Sequence, residues 1–258
     1  MEQQNQNQAA DTEFSRCAVP LNQRKTYFSL TIVWTGFVFV ITSMMAGSGL
    51  AAGMDFKHII LATLGGNIFL SIIAVLISII ACKTGLTFAL LTRYSFGSTG
   101  SKAASIFVPV VNLGWYTIQA ATYGHFVAQV FHMGQVGEGI CMAVSAIVMG
   151  IFAMCGIGAI TILGYIAIPA IVFLSIATAI RSLGVIGGME ALFAYVPSSD
   201  MPLFTGITAV IGTWVLSTAT CIADIMRYAK DTKAAVSATL TGLLGGNILM
   251  IVCGAIAA

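Results

Sequence analysis

The sequence predicts an all-α integral membrane protein built on an inverted repeat of five helices. Hydrophobic residues make up 58% of the chain and charged residues only 8%, whereas soluble domains carry about 25% charged residues. Several apolar runs reach the ~20 residues that a helix needs to cross a bilayer. The pentapeptide Leu-Gly-Gly-Asn-Ile occurs at 64–68 and again at 244–248, and the same spacing places Trp34 onto Trp214.

The chain begins with a predicted cytoplasmic tail over residues 1–27, which is polar and lacks the apolar core of a signal peptide. Its Gln/Asn-rich composition favours disorder. The first five-helix repeat follows over 28–181, then an extracellular loop over 182–202 and the first two helices of the second repeat over 203–258. Hydropathy predicts about seven membrane spans, which are 28–50, 58–82, 103–131, two within 139–181, 203–223 and 233–257.

The second half of the first span, residues 42–49, is too rich in Gly and Ser for a helix that faces lipid. Either its small residues let helices pack closely, or the helix is locally unwound and its free carbonyls bind a cation. The second span follows a short turn at 55–58. A polar connector without acidic residues then covers 83–102.

The uncharged stretch 139–181 is too long for one crossing, because a helix rises about 1.5 Å per residue and the hydrocarbon core is about 30 Å thick. The predicted break is Gly156-Ile157-Gly158, and Pro169 is predicted to kink the second of the two spans. All of the 11 Lys and Arg residues except Lys57 and Arg181 then fall on one side. The excess of basic residues places the N-terminus in the cytoplasm of a multi-pass plasma membrane protein.

The repeat relates the first span to the sixth. Five spans separate their starts, and because this number is odd, the two copies cross the membrane in opposite directions. Inverted repeats are typical of transporters that bind substrate and ion near the midplane, where the copies meet. The chain holds five helices of the first copy and only two of the second, so by this symmetry we expect that about three helices are missing.

Polar and aromatic side chains gather on two of the spans. Asn112, Trp115 and Gln119 follow the spacing of one helix face, and Trp214 lies in the sixth span. Each Trp ring can stack on a flat heterocycle, and an amide can offer a donor and an acceptor together. This pattern predicts a planar, hydrogen-bonding ligand. Alternatively, the Trp residues anchor the membrane interface and the amides link helices.

Other polar residues favour structural roles. Asn67 and Asn247 each lie beside a Gly pair, which favours a hydrogen bond between helices over contact with substrate. Asp224 and Arg227 have the spacing of a local ion pair at the membrane surface, and the alternative is a role in gating. His125 is either a packing residue or a proton carrier.

Several function classes are excluded. We find no Ser-His-Asp set, paired carboxylates, HExxH or P-loop, so the sequence does not predict an enzyme. The six Cys show no CxxC spacing, and no prosthetic group is indicated. A net charge of only +2 gives no basic surface for nucleic acid.

The connector residues 83–101, KTGLTFALLTRYSFGSTGS, closely resemble the signature of bacterial cytosine permeases. Gly114-Trp115, Ile168-Pro169-Ala170 and Ala223-Asp224 with Arg227 resemble it too, and the similarity runs from about Arg24 to the end. The chain is therefore identified as a member of the first nucleobase–cation symporter family, the purine-cytosine permease family. The resemblance implies the fold of sodium-coupled amino-acid transporters, with two inverted five-helix repeats and two further helices.

The resemblance also implies roles for particular residues. Trp115 and Trp214 correspond to the aromatics that sandwich the base, and the backbone around Gly212 is expected to face it. Gln119 corresponds to the substrate amide of the hydantoin-transporting branch, and Asn112 to that of the cytosine-permease branch.

The implied sodium site uses carbonyls of the first helix, here Gly36 and Phe39, together with hydroxyls of an eighth helix that these 258 residues do not contain. Leu216 replaces a Ser of the cytosine permeases, so the resemblance leaves open which base is carried.

The expected function is therefore import of a nucleobase, such as cytosine or a related heterocycle, by alternating access. The protein would act as a monomer in the lipid bilayer, with co-transported sodium or a proton and no resident cofactor. The alternative is a membrane scaffold or channel-like fragment without transport activity.

Overall fold

The computed structural model describes residues 14–258, apart from the side chains of residues 156–161. The described chain is helical, as predicted. The helices are α1 (Tyr27–Val38), α2 (Ile41–Ala51), α3 (Phe56–Thr84), α4 (Phe88–Val130), α5 (Gln135–Met154), α6 (Gly156–Ile186), α7 (Met189–Ala194), α8 (Leu203–Met226), α9 (Thr232–Leu240) and α10 (Ile248–Ala257), with a 3₁₀ turn at Leu21–Gln23 and a π-helical turn at Thr241–Asn247.

Within the described residues, 5 helices are long and apolar enough to cross a membrane, or up to 6 if the bent pair α1–α2 counts as one span. They are Phe56–Thr84, Gln135–Met154, Ile162–Ile186, Leu203–Met226 and Thr232–Ala257. Helix α4, which contains the third predicted span, is not among them, because polar residues such as Asn112 and Gln119 dilute its apolar character. The count of seven spans stays a prediction.

The chain divides into two compact units. The first comprises the described residues up to Leu91 together with Gly164–Ala258, and the second comprises Thr92–Leu163. These units are defined by compactness, whereas the predicted segments were defined by the symmetry of the repeat. The predicted segment boundaries therefore stay predictions.

The first unit contains the broken helix. Helix α1 ends at Val38, α2 begins at Ile41, and the two are bent by 51°. The break therefore precedes the Gly/Ser-rich stretch 42–49, which is itself helical. Unwinding was expected within that stretch as one of two alternatives, but the structure places it a few residues earlier.

The Gly/Ser-rich stretch serves close packing of α2 against α10. A Cβ added at Gly47 would overlap the carbonyl oxygen of Ile251, and one at Gly254 would overlap the carbonyl oxygen of Met44. The Ser48 hydroxyl donates to the Gly254 carbonyl at 3.0 Å. Small residues let the two backbones touch, which is the other alternative that the sequence left open.

The two copies of the repeated pentapeptide meet in the core of the first unit. The Asn247 amide nitrogen donates to the Asn67 side-chain oxygen at 2.8 Å, and the Asn67 amide donates to the Thr63 carbonyl at 2.9 Å. Both Asn side chains are fully buried. The predicted role of these residues in linking helices is confirmed. The copies differ locally, because the first is regular α-helix and the second lies in the π-helical turn.

The tail is ordered where the structure describes it. The Arg24 guanidinium donates to the Cys82 carbonyl at 2.6 Å and to the Ala229 carbonyl at 3.2 Å, and the Lys25 amide donates to the Tyr228 carbonyl at 2.6 Å. The expectation of disorder is therefore wrong for residues 14–26, because their backbone and Arg24 satisfy carbonyls at helix ends. The first 13 residues lie outside the described part of the chain.

The predicted polar connector is largely helical. Gly85 ends α3 in a left-handed conformation (φ 70°), and α4 starts only three residues later. The Asp224 carboxylate accepts from the Phe88 amide at 3.0 Å, so it caps the new helix. The bond from Arg227 Nε goes to the backbone carbonyl of Asp224 at 3.2 Å rather than to this carboxylate. Asp224 therefore acts as a helix cap, and its predicted ion pair with Arg227 stays a prediction.

In the second unit, α4 and α5 pack closely where Gly124 meets the backbone of Met142. His125 Nδ1 lies 2.7 Å from Glu138 Oε1, and its Nε2 lies 2.9 Å from Gln129 Nε2. Both ring nitrogens of His125 are thus hydrogen-bonded, and the choice between a packing residue and a proton carrier stays a prediction. Helix α5 is separated from α6 at Cys155, one residue before the predicted break.

The loop before α3 supplies a cap with a pH-dependent effect. The Asp55 carboxylate accepts from the His58 amide at 2.9 Å. This hydrogen bond has the largest effect on Asp55, and the hydrogen bond to the His58 side chain has the next largest. Together they hold the pKa of Asp55 below its ordinary value. Because the folded-state pKa is depressed, the carboxylate stabilises the fold above the unfolded-state pKa of about 4. That contribution is lost as the pH falls through the folded-state pKa.

We expect Asp55→Ala to lower the free energy of unfolding by about 1 kcal/mol near neutral pH, the usual loss for a helix N-cap. Asp55→Asn keeps the capping oxygen but has no carboxylate to protonate. The stability of this variant should therefore not fall below about pH 4 through this cap. Thermal unfolding of the detergent-solubilised protein at neutral pH and below pH 4 measures both effects. An Asp55→Ala variant as stable as the wild type at both pH values would show that the cap does not contribute.

Candidate functional site

Trp214 contacts one aromatic and one polar neighbour within the first unit. It is only 6% exposed, and its ring centroid lies 5.6 Å from that of Phe37 at an interplanar angle of 54°. Its indole N–H donates to the Ser43 hydroxyl at 3.1 Å. An indole N–H is only a donor and usually has a partner when buried, so this bond orients the ring.

The repeat-related residue Trp34 has a different environment. Its ring stacks on the Phe37 ring. The two ring centroids lie 5.5 Å apart, and the interplanar angle is 9°. It is fully buried and packs against Gly242, where a Cβ would overlap its ring. Among the described residues its indole nitrogen has no hydrogen-bond partner. Trp34 is a core residue, and the two copies of the repeat use the same side chain differently.

Gly212 lies near Trp214 on α8 and presents open backbone. A Cβ at this position would meet nothing within 4 Å. The neighbouring Leu216 is 47% exposed. The backbone here is accessible to a ligand, as the resemblance implies, but the same openness would also suit lipid.

The break between α1 and α2 releases two carbonyls from their usual helical partners. In a regular helix the carbonyls of Gly36 and Phe39 would accept from the amides of Val40 and Ser43. Here the Val40 amide donates to Val38 at 2.9 Å, and the Ser43 amide donates to Val40 at 3.1 Å. Carbonyls of unwound membrane helices are typical ligands of sodium. The geometry therefore suits the cation role expected of Gly36 and Phe39.

The second unit carries the remaining predicted residues. Asn112, Trp115 and Gln119 lie on one continuous stretch of α4, downstream of the kink at Gly97, and all three are partly buried. Both amides already have an interaction partner. Trp115 belongs to the second unit and Trp214 to the first, so the predicted pairing of the two rings stays a prediction.

Sequence reasoning missed Phe37 and Ser43. Phe37 lies between two Trp rings, and Ser43 holds one of them. The available signal was the Gly/Ser-rich stretch that begins at Thr42, which contains Ser43. Nothing in the sequence shows that this hydroxyl meets a side chain on α8.

Comparison with known proteins identifies related sequences and a shared fold. Residues 18–258 match the family model described as a permease for cytosine/purines, uracil, thiamine and allantoin. The cytosine permease of Escherichia coli strain K12 is 34% identical over 245 residues, which cover 95% of this chain and 58% of that relative. The cytosine permease of Escherichia coli O157:H7 gives the same values. The chain thus spans only part of the length of these relatives.

Two solved structures show the fold. Mhp1, described as a nucleobase-cation-symport-1 family transporter in a closed conformation with bromovinylhydantoin bound, has a TM-score of 0.82 at 18% identity. The alignment covers 94% of this chain and 57% of that one. The inward-facing conformation of Mhp1 has a TM-score of 0.78 at 17% identity, covering 93% and 55% of the two chains. The predicted transporter fold is confirmed by these similarities.

Proposed function

The chain belongs to the family of permeases for cytosine/purines, uracil, thiamine and allantoin, and on this premise we propose that it imports a nucleobase or a related heterocycle together with a cation. The family is one of permeases and not of enzymes, and its members are multi-pass membrane proteins. The observation that carries the proposal is the broken helix α1–α2 beside Trp214, which brings cation-type carbonyls and a stacking ring into one unit.

The substrate is a planar heterocycle with donors and acceptors at its edge. Trp115 and Trp214 each offer a flat ring on which a base can stack. Asn112 and Gln119 lie on the same stretch of α4 as Trp115 and can read the base edge, and the open backbone at Gly212 contributes a polar contact. The relatives are named cytosine permeases, so cytosine is the first substrate to test.

The coupling ion is sodium or a proton, and the carbonyls of Gly36 and Phe39 supply part of a sodium site. Carbonyl ligands at a helix break are pre-organised, because they have already left the helical hydrogen-bond pattern. We further propose that the protein acts as a monomer by alternating access in the plasma membrane. The excess of Lys and Arg on one side supports a cytoplasmic N-terminus.

The test is uptake of radiolabelled cytosine by cells that express the complete reading frame, with adenine, uracil and allantoin as competitors. Each assay is run with and without sodium and at two pH values. Trp115→Ala and Trp214→Ala are expected to raise the half-saturation concentration about 5- to 150-fold, because stacking of a base on an aromatic ring is worth about 1–3 kcal/mol.

Matched controls are Leu113→Ala and Phe204→Ala, which replace exposed side chains on the same two helices. Membrane abundance of each variant is measured by in-gel fluorescence of a fused reporter. Normal uptake in both Trp variants would show that neither ring stacks on the substrate and that both residues have packing roles. If the wild type takes up none of the bases, the transport proposal fails and a scaffold or channel-like role is favoured instead.

A further inference from the structure

We propose that Ser43 is a positioning residue that couples cation binding at the break between α1 and α2 to the orientation of the Trp214 ring. This role rests on the proposed transport function and deepens it. Ser43 itself contacts neither the cation nor the substrate in this scheme. It acts through the two groups to which it is hydrogen-bonded.

The chemistry of one buried hydroxyl carries the proposal. Ser43 is fully buried, and a hydroxyl offers one donor and two acceptor lone pairs. The Ser43 hydroxyl donates to the Val38 carbonyl at 3.4 Å and accepts from the Trp214 indole N–H at 3.1 Å. A buried chain of hydrogen bonds thus runs from Trp214 through Ser43 to the end of α1.

This chain of bonds spans the helix break. Val38 is the last residue of α1, and Ser43 lies in the first turn of α2. The position of the hydroxyl relative to α1 therefore depends on the bend between the two helices. The carbonyls of Gly36 and Phe39 flank Val38 in the chain. A cation held by those carbonyls would fix the bend, and through Ser43 it would fix the angle of the indole.

The repeat provides an internal comparison. Trp34 is the repeat-related counterpart of Trp214, and the same spacing places Ala223 at the position equivalent to Ser43. Ala223 has no hydroxyl, and among the described residues the Trp34 indole nitrogen has no partner. The indole–hydroxyl bond is therefore not a general requirement of the repeat. Of the two repeat-related Trp residues, Trp214 makes this bond, and it lies beside the broken helix.

Coupling between two ligands is reciprocal, and its usual size is a 5- to 150-fold change in affinity. If Ser43 carries it, sodium should tighten binding of the base in the wild type by a factor in this range. The Ser43→Ala variant should still bind the base, but the ratio of its affinities with and without sodium should fall to about 1. A residue needed only for folding would lower abundance without changing this ratio.

The experiment uses the protein expressed from its complete reading frame and purified in detergent. Binding of radiolabelled cytosine, and in parallel of allantoin, is measured without sodium and at saturating sodium, and the pair is repeated across a pH step to include proton coupling. The variants are Ser43→Ala and Trp214→Phe, which removes the N–H but keeps an aromatic ring. Ser48→Ala is the matched control, because its hydroxyl lies on the same helix and donates only to the Gly254 carbonyl.

A second readout needs no substrate. The chain has 3 Trp residues, and sodium is expected to change their fluorescence in the wild type and in Ser48→Ala. The change should be lost in Ser43→Ala and in Trp214→Phe. The double variant should show no further loss, because both single changes remove the same bond.

The outcomes separate this inference from the transport proposal. Sodium coupling that persists in Ser43→Ala and Trp214→Phe would overturn the role of Ser43 while leaving transport intact. Wild-type protein that transports a base without any coupling to sodium or protons would overturn it as well. Wild-type protein that binds neither probe nor responds to sodium would overturn the proposed function and this inference together.

Discussion

Gly47→Ala is expected to destabilise the protein severely, whereas Gly49→Ala, two residues further along the same helix, is expected to be harmless or stabilising. A Cβ at Gly47 would overlap the Ile251 carbonyl oxygen and lie 2.8 Å from the Ala255 amide nitrogen, and one at Gly49 would meet nothing within 4 Å. Backbone atoms cannot rotate away as a side chain can. The added methyl must therefore push α2 and α10 apart.

The expected loss for Gly47→Ala is about 3 kcal/mol or more, at the upper end of the usual cost of overpacking. Gly49→Ala should gain up to about 1 kcal/mol, because Ala is a better helix former than Gly. Gly254→Ala should behave like Gly47→Ala, since its Cβ would overlap the backbone of Met44. Thermal unfolding in detergent, with the monodisperse fraction on size exclusion, measures all three. Similar stability of Gly47→Ala and Gly49→Ala would show that α2 and α10 do not touch in the membrane.

Asn67→Leu is expected to cost more than Asn247→Leu, although the two residues are bonded to each other. Asn247 donates to Asn67, and its own side-chain oxygen has no partner among the described residues. Removing Asn67 therefore leaves the whole buried Asn247 amide without a partner. Removing Asn247 leaves Asn67 with its bond to the Thr63 carbonyl.

A stranded buried polar group costs about 1–3 kcal/mol, so Asn67→Leu should lie near the top of this range and Asn247→Leu near the bottom. The double variant Asn67→Leu/Asn247→Leu should be more stable than Asn67→Leu alone, because no amide remains to be desolvated. A double-mutant cycle by thermal unfolding gives the coupling energy. Additive losses in the double variant would mean that the two amides do not interact.

This pair shows how far the repeat could be interpreted from sequence. The identical pentapeptides and the Gly pairs beside each Asn indicated contact between helices, and the structure brings the two copies together. What the sequence did not indicate is the asymmetry. The second copy lies in a π-helical turn and has one unpartnered oxygen, because identical sequences meet different neighbours in the two halves.

The candidate site was predicted in part. The spacing of Asn112, Trp115 and Gln119 follows from helical periodicity alone, and the structure keeps them on one helix. Gly36 and Phe39 came from the family resemblance, and the structure puts the break beside them. Ser43 was not predicted, because its contact with Trp214 joins residues that are 171 positions apart in the chain.

By itself the sequence determined the membrane class, the helical fold and the family. These depend on composition, on the length of apolar runs and on a distinctive connector, all of which are local properties of the chain. Only the tertiary structure decided that the helix breaks at Phe39 and Val40 while the Gly/Ser-rich stretch stays helical, and that residues 14–26 are ordered. The reason is that these features depend on hydrogen bonds and close packing between distant segments, such as Gly47 with Ile251 and Arg24 with Cys82. The local residue pattern of a segment does not show which distant backbone that segment will contact.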